Sequence, residues 1–293
     1  MKIRELFFEN ANQLSVGEIE INGNKVAPNG VQRDIWEYGN FDCSDFNLTS
    51  LIGAPKELKG GHFFCNNNKL TSLEGAPQKQ IYDFFCDEND LTSLEGCPQK
   101  ITGTFDCSSN KRLTSLKGMS QEGVTELFCS DCDLESLEGA PDKINGALHC
   151  ANNSNLKNLI GCPQGIESLI CHSCGFSSVS SLEGMPKIIK KNLTIYNNPI
   201  KSLKGIHKIV EEIGNKLMLP FHIESNILGV LKIKNLKEIV FYDTKNEFSI
   251  EAKDKINKVA EIVNTYLPNP TTAQILDCQN ELIEAGFEEY AEL

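Results

Sequence analysis

The chain has 293 residues, with 28 Lys and Arg against 40 Asp and Glu, and its formal net charge is −12. This balance argues against a general grip on nucleic-acid phosphates or on anionic membranes, because both need clustered basic side chains. It favours a basic protein partner, or simply solubility.

The twelve cysteines come without a recognisable secretory leader, because the first residues have only a short apolar run and an early acid. No apolar run reaches the roughly 18 residues that a membrane-spanning helix needs. Cysteine-rich chains without a leader keep free thiols in reducing compartments. We therefore expect a cytoplasmic protein that makes no membrane contact.

Residues 1–38 lack the repeat that dominates the rest of the chain. Residues 17–23 are typical of a strand that enters a turn, and residues 31–36 are typical of a second strand. We expect an N-terminal β cap that shields the apolar edge of the first repeat, since an open strand edge pairs readily with other chains.

A phrase close to Leu-Thr-Ser-Leu-x-Gly-x-Pro occurs eight times in residues 48–205, and the last two of these eight copies are looser. The copies begin at Leu48, Leu70, Leu91, Leu113, Leu134, Leu156, Val179 and Ile200. A fixed period of about 20 to 29 residues with this apolar spacing indicates a leucine-rich-repeat solenoid. No single unit can bury its own apolar face, so the repeats must stack.

Two apolar positions before each phrase predict the strand core, because alternate strand residues share a face. The first position holds Phe41, Phe63, Phe84, Phe105, Leu127, Leu148, Leu169 and Leu193, and the second holds Cys43, Cys65, Cys86, Cys107, Cys129, Cys150, Cys171 and Ile195. A third position, here called the ladder position, carries mostly Asn, which we expect to satisfy buried backbone groups. The phrase glycines predict positive φ on the far side of each coil.

The full unit, exemplified by Phe63-x-Cys65-x-x-Asn68-x-Leu70-x-x-Leu73, resembles the short bacterial type of leucine-rich repeat. It is still more similar to a phenylalanine/cysteine variant common in proteins of large tailed bacteriophages. The resemblance covers residues 39–205, and residues 277–287 look like the end of those phage proteins. It implies the fold and a phage origin, and no settled activity.

The period fails in residues 206–293, although residues 209–213, 227–233 and 236–241 are apolar enough to continue or seal the core. Residues 251–267 and 271–285 have helical spacing on either side of a Pro-Asn-Pro break. Their predicted inner faces carry Ile256, Val259, Ile262, Val263, Ile275, Leu276, Leu282 and Ile283.

The predicted fold is therefore a β-rich α/β leucine-rich-repeat solenoid. It has a curved parallel sheet of about eight repeats over residues 39–205, an N-terminal β cap over 1–38 and a mixed, mainly helical C-terminal cap over 206–293.

The pairs Cys129/Cys132 and Cys171/Cys174 have the spacing of zinc or redox motifs. The repeat explains them better, because the first Cys of each pair belongs to the strand column and the second replaces the ladder Asn. No phosphate loop, nucleophile elbow or zinc-protease helix is present. We expect no metal, cofactor or catalytic residue; enzyme activity in the C-terminal segment, with Cys278 as its only candidate, is the alternative.

Side chains between the core positions are predicted to face a concave surface. Phe64, Phe85, Phe128 and Ile170 would form an exposed apolar row among acids. The predicted partner-binding residues are Asp42, Phe64, Asp83, Phe85, Asp87, Asp106, Glu126, Phe128, Asp131, His149, Ile170, His172 and Tyr196. The alternative is that the Phe rings pack on one another and the acids only keep the chain soluble.

These features favour a non-enzymatic scaffold that binds a host or phage protein with a basic and apolar surface. Inhibition of a host defence factor in the bacterial cytoplasm is one such purpose, and no direct nucleic-acid binding is expected. The second hypothesis is an acidic nucleic-acid mimic that occupies a DNA-binding protein.

Overall fold

The computed structural model describes three short strands ahead of residue 39, then residues 39–243 and 248–292. Most strands in these parts are only two or three residues long. In chain order they are β1 (Glu20–Ile21), β2 (Asn24–Lys25), β3 (Ile35–Trp36), β4 (Phe41–Asp42), β5 (Glu57–Leu58), β6 (Phe63–Phe64), β7 (Phe84–Phe85), β8 (Thr104–Asp106), β9 (Glu126–Phe128), β10 (Ala147–His149), β11 (Ser168–Ile170), β12 (Ile188–Ile189), β13 (Leu193–Thr194), β14 (Glu212–Ile213), β15 (Lys216–Pro220) and β16 (Glu238–Tyr242).

Ten of these strands form one sheet in the order β16-β15-β13-β11-β10-β9-β8-β7-β6-β4. Every pair is parallel and matches equivalent positions of successive coils, so Phe63 lies beside Phe84 and Leu169 beside Leu193. By residue number the first step is 84 − 63 = 21 and the second 193 − 169 = 24. The described chain is thus a parallel β-solenoid of stacked coils, which confirms the stacking that the period predicts.

The core columns lie where the alternation predicts them. The first column is fully buried, and its Phe rings stack along the solenoid with centroid distances of 5.3, 5.4 and 5.9 Å from Phe41 to Phe105. Every residue of the cysteine column beside it is fully buried, and the described cysteines are all free thiols. Repeating the same side chain lets each coil present its neighbour with a surface of matching shape, which close packing requires.

The ladder asparagines bond the backbone between coils, as predicted. Asn153 Nδ2 donates to the carbonyls of Cys129 and Cys150 at 2.9 Å each, while its Oδ1 accepts the Leu134 N–H at 3.1 Å. One side chain therefore satisfies three buried backbone groups on two coils. Where Cys174 replaces Asn, its Sγ still donates to the Cys150 carbonyl at 3.2 Å.

The far side of each coil turns at the phrase glycine, which has positive φ as predicted. At Gly75 φ is +94°, and an added Cβ would lie 2.4 Å from the Leu51 carbonyl carbon of the preceding coil. Both the conformation and the close approach of two backbones therefore require glycine. Pairs of short parallel strands also form on this side, β3 with β5 and β12 with β14.

The sheet continues past residue 205 through β15 and β16, so it has two strands more than the eight predicted repeats. Leu217 and Ile239 take the first core position in these coils, in register with Leu193 and with each other. The predicted apolar segments 209–213, 227–233 and 236–241 do bury core residues, such as Ile213, Val230 and Ile239, whereas β15 lies between them and was not predicted.

A short helix, α1 (Ile206–Ile209), lies between β13 and β14, and two longer helices, α2 (Ile250–Thr265) and α3 (Thr272–Glu284), follow β16. There are 3₁₀ turns at Val179–Leu182, Ile227–Lys232 and Glu288–Tyr290. α2 packs on β16 and buries the four residues predicted for its inner face. In α3, by contrast, Leu276 and Ile283 are 50% and 44% exposed, so their predicted burial is wrong. Leu282 is buried as predicted, with Cys278 one helical turn before it, and Ile275 packs half-buried against the core.

Ahead of residue 39, β1 lies within the predicted strand and pairs antiparallel with β2, which begins just after the predicted turn, and β3 lies within the second predicted strand. The rest of the predicted N-terminal cap lies outside the described residues. No helix among the described residues has both the length and the apolar character to cross a bilayer.

Candidate functional site

The side of the ten-stranded sheet that faces away from the core is here called the outer face. On each strand it carries the residue between the two core positions, together with the residues just before and just after them. The predicted concave-surface residues lie on this face, because Phe63 and Cys65 point inward and Phe64 between them points outward.

Phe64 and Phe85 point outward as the alternation requires, but they are buried. Only 1% and 4% of their surfaces are exposed, so the expectation of two exposed rings is wrong. The rings stack on each other at 4.9 Å and 4°, and His62 lies 6.1 Å from Phe64. Alternation alone determines the direction in which a ring points and not how much of the ring its neighbours cover.

The predicted acidic surround is also only partly exposed. Asp83 is buried, with one carboxylate oxygen 2.5 Å from His62 Nδ1 and the other accepting the Thr104 N–H at 2.5 Å. Asp106 is buried and accepts the Ser108 N–H at 2.9 Å. Because both carboxylates bond within the fold, their predicted place on an exposed surface is wrong.

The other predicted acids are more accessible. Glu126 is exposed, while Asp42, Asp87 and Asp131 are half-buried. Asp131 has Lys111 Nζ at 3.7 Å, an exposed pair that contributes little to stability. Asp42 accepts hydrogen bonds from both the backbone and the hydroxyl of Ser44.

The accessible rings of the outer face lie on its C-terminal half. Phe128 stacks on His149 at 4.2 Å and 15°, and His172 stacks on Tyr196 at 4.5 Å and 7°. Tyr242 is 40% exposed and lies 5.0 Å from Tyr196. We call these five rings the aromatic strip, with half-buried Ile170, Met218 and Val240 between and beside them.

Five predicted site residues belong to this surface: Phe128, His149, Ile170, His172 and Tyr196. Sequence reasoning missed Met218, Val240 and Tyr242, because the repeated phrase is lost after residue 205. The alternation of Lys216–Pro220 and Glu238–Tyr242 was the signal that could have found them.

Burial keeps the two strip histidines uncharged. It lowers the pKa of His149 to about 4, and the neighbouring His172 adds to that shift. Burial also lowers the pKa of His172, against the opposing charge of Asp131, and raises the pKa of Tyr196. At neutral pH the strip is therefore an uncharged aromatic surface.

A polar rim borders the strip where each strand turns. Asp131, Asn152, Ser173 and Asn197 all have φ between 53° and 58°, the left-handed region that Asn and Asp tolerate best. Their side chains are linked from coil to coil: Asn152 Nδ2 donates to Asp131 at 3.3 Å, and Asn197 Nδ2 to Ser173 Oγ at 2.7 Å. This hydrogen bonding fixes the rim beside the rings.

The paired cysteines occupy the positions that the repeat assigns to them. Cys132 Sγ donates to the Cys107 carbonyl at 3.4 Å, which is the bond a ladder Asn would make. Burial raises the pKa of the Cys132 thiol to about 12, so it stays protonated at neutral pH. Within residues 39–243 and 248–292 no group of three or more His, Cys, Asp and Glu side chains is arranged to hold a metal ion.

Comparisons with family models, with characterised proteins and with solved structures found no match to this chain.

Proposed function

We propose that this chain is a non-enzymatic scaffold that binds a protein through the aromatic strip on its outer face. The observation that carries the proposal is the strip itself: two groups of contacting rings, Phe128 with His149 and His172 with Tyr196 and Tyr242, accessible and uncharged on one face of a parallel sheet. Aromatic groups with a polar surround are typical of interface hot spots, and solenoids bind partners on their extended faces.

The repeat belongs, in this proposal, to the leucine-rich type, and the protein is encoded by a phage and acts in the bacterial cytoplasm. The support is the repeated phenylalanine/cysteine unit. Its Phe and Cys positions form the stacked columns of the core, so the unit has a structural role in every coil. The partner is a host or phage protein, and inhibition of a host defence factor is the purpose we favour.

The two alternatives have weaker support. A nucleic-acid mimic presents exposed carboxylates at phosphate-like spacing, whereas Asp83 and Asp106 are buried and hydrogen-bonded. An enzyme in the C-terminal segment would need a reactive Cys278. Burial, with the charge of Glu281, raises the pKa of that thiol to about 12, far from the low pKa of catalytic cysteines.

Affinity capture from an infected bacterial lysate, read by mass spectrometry, tests the proposal when wild type is compared with matched variants. Phe128→Ser with Tyr196→Ser removes the three ring contacts described for the strip, Phe128 with His149 and Tyr196 with His172 and Tyr242. The control is Ile160→Ser, which removes an exposed apolar side chain from the opposite side of the coil. Thermal unfolding establishes that each variant is folded.

We expect the double variant to lose the captured protein and the Ile160→Ser control to retain it. Capture should persist at high salt, because the strip is uncharged and ions screen mainly exposed charge pairs. Capture that is unaffected by the double variant, or lost steeply with salt, would contradict binding through the strip.

A further inference from the structure

The last coils of the solenoid carry a charge opposite to that of the whole chain. Residues 187–237 contain ten Lys, no Arg and three Glu, a formal charge of 10 − 3 = +7, whereas the whole chain has −12. Two of these glutamates are engaged within the coils: Glu211 lies 3.8 Å from Lys187 Nζ, and Glu212 Oε1 accepts from Asn235 Nδ2 at 2.7 Å. A positively charged surface therefore remains on an acidic protein.

Part of this charge surrounds an exposed apolar side chain on the far side of the coil. Ile188 of β12 is 49% exposed, whereas its neighbour Ile189 is buried. Ile188 lies in register with Glu212, which in turn pairs with Lys234 of the next coil. Lys187 Nζ donates to the Lys208 carbonyl at 2.7 Å, which brings α1 to the same surface. We call this surface the basic face; it consists of Ile188 with Lys187, Lys190, Lys208 and Lys234.

Most lysines of the basic face are available to a partner. Lys190, Lys208 and Lys234 are exposed, and in the part of the chain that the structure describes none of them lies within ion-pair distance of a carboxylate. Lysines supply charge without the planar fork with which arginine recognises phosphate. Because Ile188 lies among them, the basic face fits an acidic surface that also brings apolar side chains.

Helix α3 presents such a surface on the same chain. Leu276 and Ile283 are 50% and 44% exposed and lie two helical turns apart on one side of the helix. Asp277 and Glu284 follow them directly and are also exposed. Residues 269–293 contain six acids and no Lys, Arg or His. We call these four exposed side chains of α3 the acidic face.

The two faces match in spacing as well as in charge. Asp277 and Glu284 are 284 − 277 = 7 residues apart, which is roughly 10 Å along a helix axis. Ile188 and Lys234 are separated by two strand steps, which is also roughly 10 Å. Helix α3 packs on the 3₁₀ turn Ile227–Lys232, so both faces belong to the C-terminal end of the solenoid.

We propose that a second copy of the chain docks here, with the acidic face of each copy on the basic face of the other. A two-fold arrangement makes both contacts at once and closes a dimer, because each copy carries both faces at the same end. A nucleic-acid backbone would pair with the lysines but would leave Ile188, Leu276 and Ile283 in water, whereas a second copy covers them. This inference goes beyond the proposed function and does not involve the aromatic strip.

Sedimentation velocity over a wide range of protein concentrations, at low salt and at about 1 M salt, tests the inference. Two charge-reversed chains are compared with wild type. Lys208→Glu with Lys234→Glu reverses the basic face, and Asp277→Lys with Glu284→Lys reverses the acidic face.

The matched control is Lys69→Glu with Lys157→Glu, which changes the net charge as the basic-face variant does, at exposed lysines of earlier coils. Thermal unfolding establishes that each chain is folded. The acidic-face variant should fold, because its two positions are exposed and Lys is a good helix former.

We expect wild type to associate at low salt and to dissociate at about 1 M salt, where the screening length falls to about 3 Å. Each reversed chain should associate at least about a hundredfold more weakly, because exposed pairs in both contacts change from attraction to repulsion. An equimolar mixture of the two reversed chains should associate about as strongly as wild type, since every reversed face then meets the opposite charge. The control should associate like wild type.

Three results would overturn the inference. One is a wild type that stays monomeric at every concentration, and another is a mixture of the reversed chains that stays monomeric, because the two faces then do not meet. The third is a monomeric wild type that binds single-stranded DNA through Lys208 and Lys234, which would assign the basic face to phosphates. Phe128→Ser with Tyr196→Ser should associate like wild type whatever its effect on capture, so the inference and the proposed function can fail separately.

Discussion

The side-chain amide of Asn264 pairs with the backbone of Ile239 as a further strand would. Its Oδ1 accepts the Ile239 N–H at 2.8 Å, and its Nδ2 donates to the Ile239 carbonyl at 3.0 Å. Ile239 lies on β16, the last strand of the ten-stranded sheet, so in the part of the chain that the structure describes no further strand pairs with its outward backbone groups. Helix α2 therefore protects the edge of the sheet with a hydrogen-bonded side chain.

Replacing Asn264 by Ala should expose that edge. We expect the free energy of unfolding to fall by about 1–3 kcal/mol, because two partly buried backbone groups lose their partners. Self-association should also increase, since an open strand edge recruits other chains. Chemical denaturation and light scattering measure the two effects. Asn257→Ala on the exposed side of α2 is the control, and equal effects of both variants would argue against edge protection.

We predict that the ladder position tolerates replacement of Asn by Cys better than replacement by Ala. Asn153→Ala should cost at least about 1–3 kcal/mol, because the Cys129 and Cys150 carbonyls and the Leu134 N–H lose their partner. Asn153→Cys should cost less, since its thiol can donate as that of Cys174 does. Urea unfolding gives the free energy of unfolding of the two variants. A cysteine variant no more stable than the alanine variant would contradict the prediction.

Substitutions at two glycines with positive φ distinguish the cost of backbone strain from the cost of a steric clash. At Gly165 an added Cβ meets nothing within 4 Å, whereas at Gly118 it would lie 2.6 Å from the Glu95 backbone nitrogen. Gly165→Ala should cost about 1–2 kcal/mol, the price of a left-handed residue with a side chain. Gly118→Ala should cost clearly more or prevent folding. Equal melting temperatures of the two variants would contradict this prediction and would show that adjacent coils can move apart to accommodate a Cβ atom.

Protonation of His149 should couple stability to pH. Its folded pKa of about 4 lies below the unfolded value of about 6.5, so the unfolded chain binds more protons between these values. Stability should therefore fall as the pH drops from about 7 to about 5, by about 2 kcal/mol from this group.

The matched variant is His149→Phe, which keeps a ring against Phe128 and removes the titration. Its stability measured by urea unfolding should depend less on pH over the same window. A wild type and a variant with the same pH dependence would show that His149 is accessible enough to charge without penalty.

The stacked coils were predictable because each core position repeats its own residue type. Phe63 and Phe84 are found in register because both follow the same spacing to the phrase. The last two coils were not predictable in this way. The last copy of the phrase begins at Ile200, so no copy follows Leu217 or Ile239, and only the local alternation marked these strands.

The candidate site was predictable in part for a similar reason. Alternation assigns Phe64 and Phe128 to the same face, but it does not determine how much of each ring its neighbours cover. Phe64 lies against Phe85 and is buried, whereas Phe128 stays half-exposed beside His149. Burial of Asp83 followed from its short contacts to His62 and Thr104, which depend on how adjacent coils align.

The cysteine column gives every coil from Cys43 to Cys171 one thiol at an equivalent depth, and none of them reaches solvent. Burial also raises the pKa of thiols such as Cys43 and Cys107, which keeps them in the unreactive form. A thiol-alkylating reagent can therefore label a given coil only while that coil is open. The rate of alkylation, resolved cysteine by cysteine, would order the coils by the ease with which they separate, using reporters that the native chain already contains.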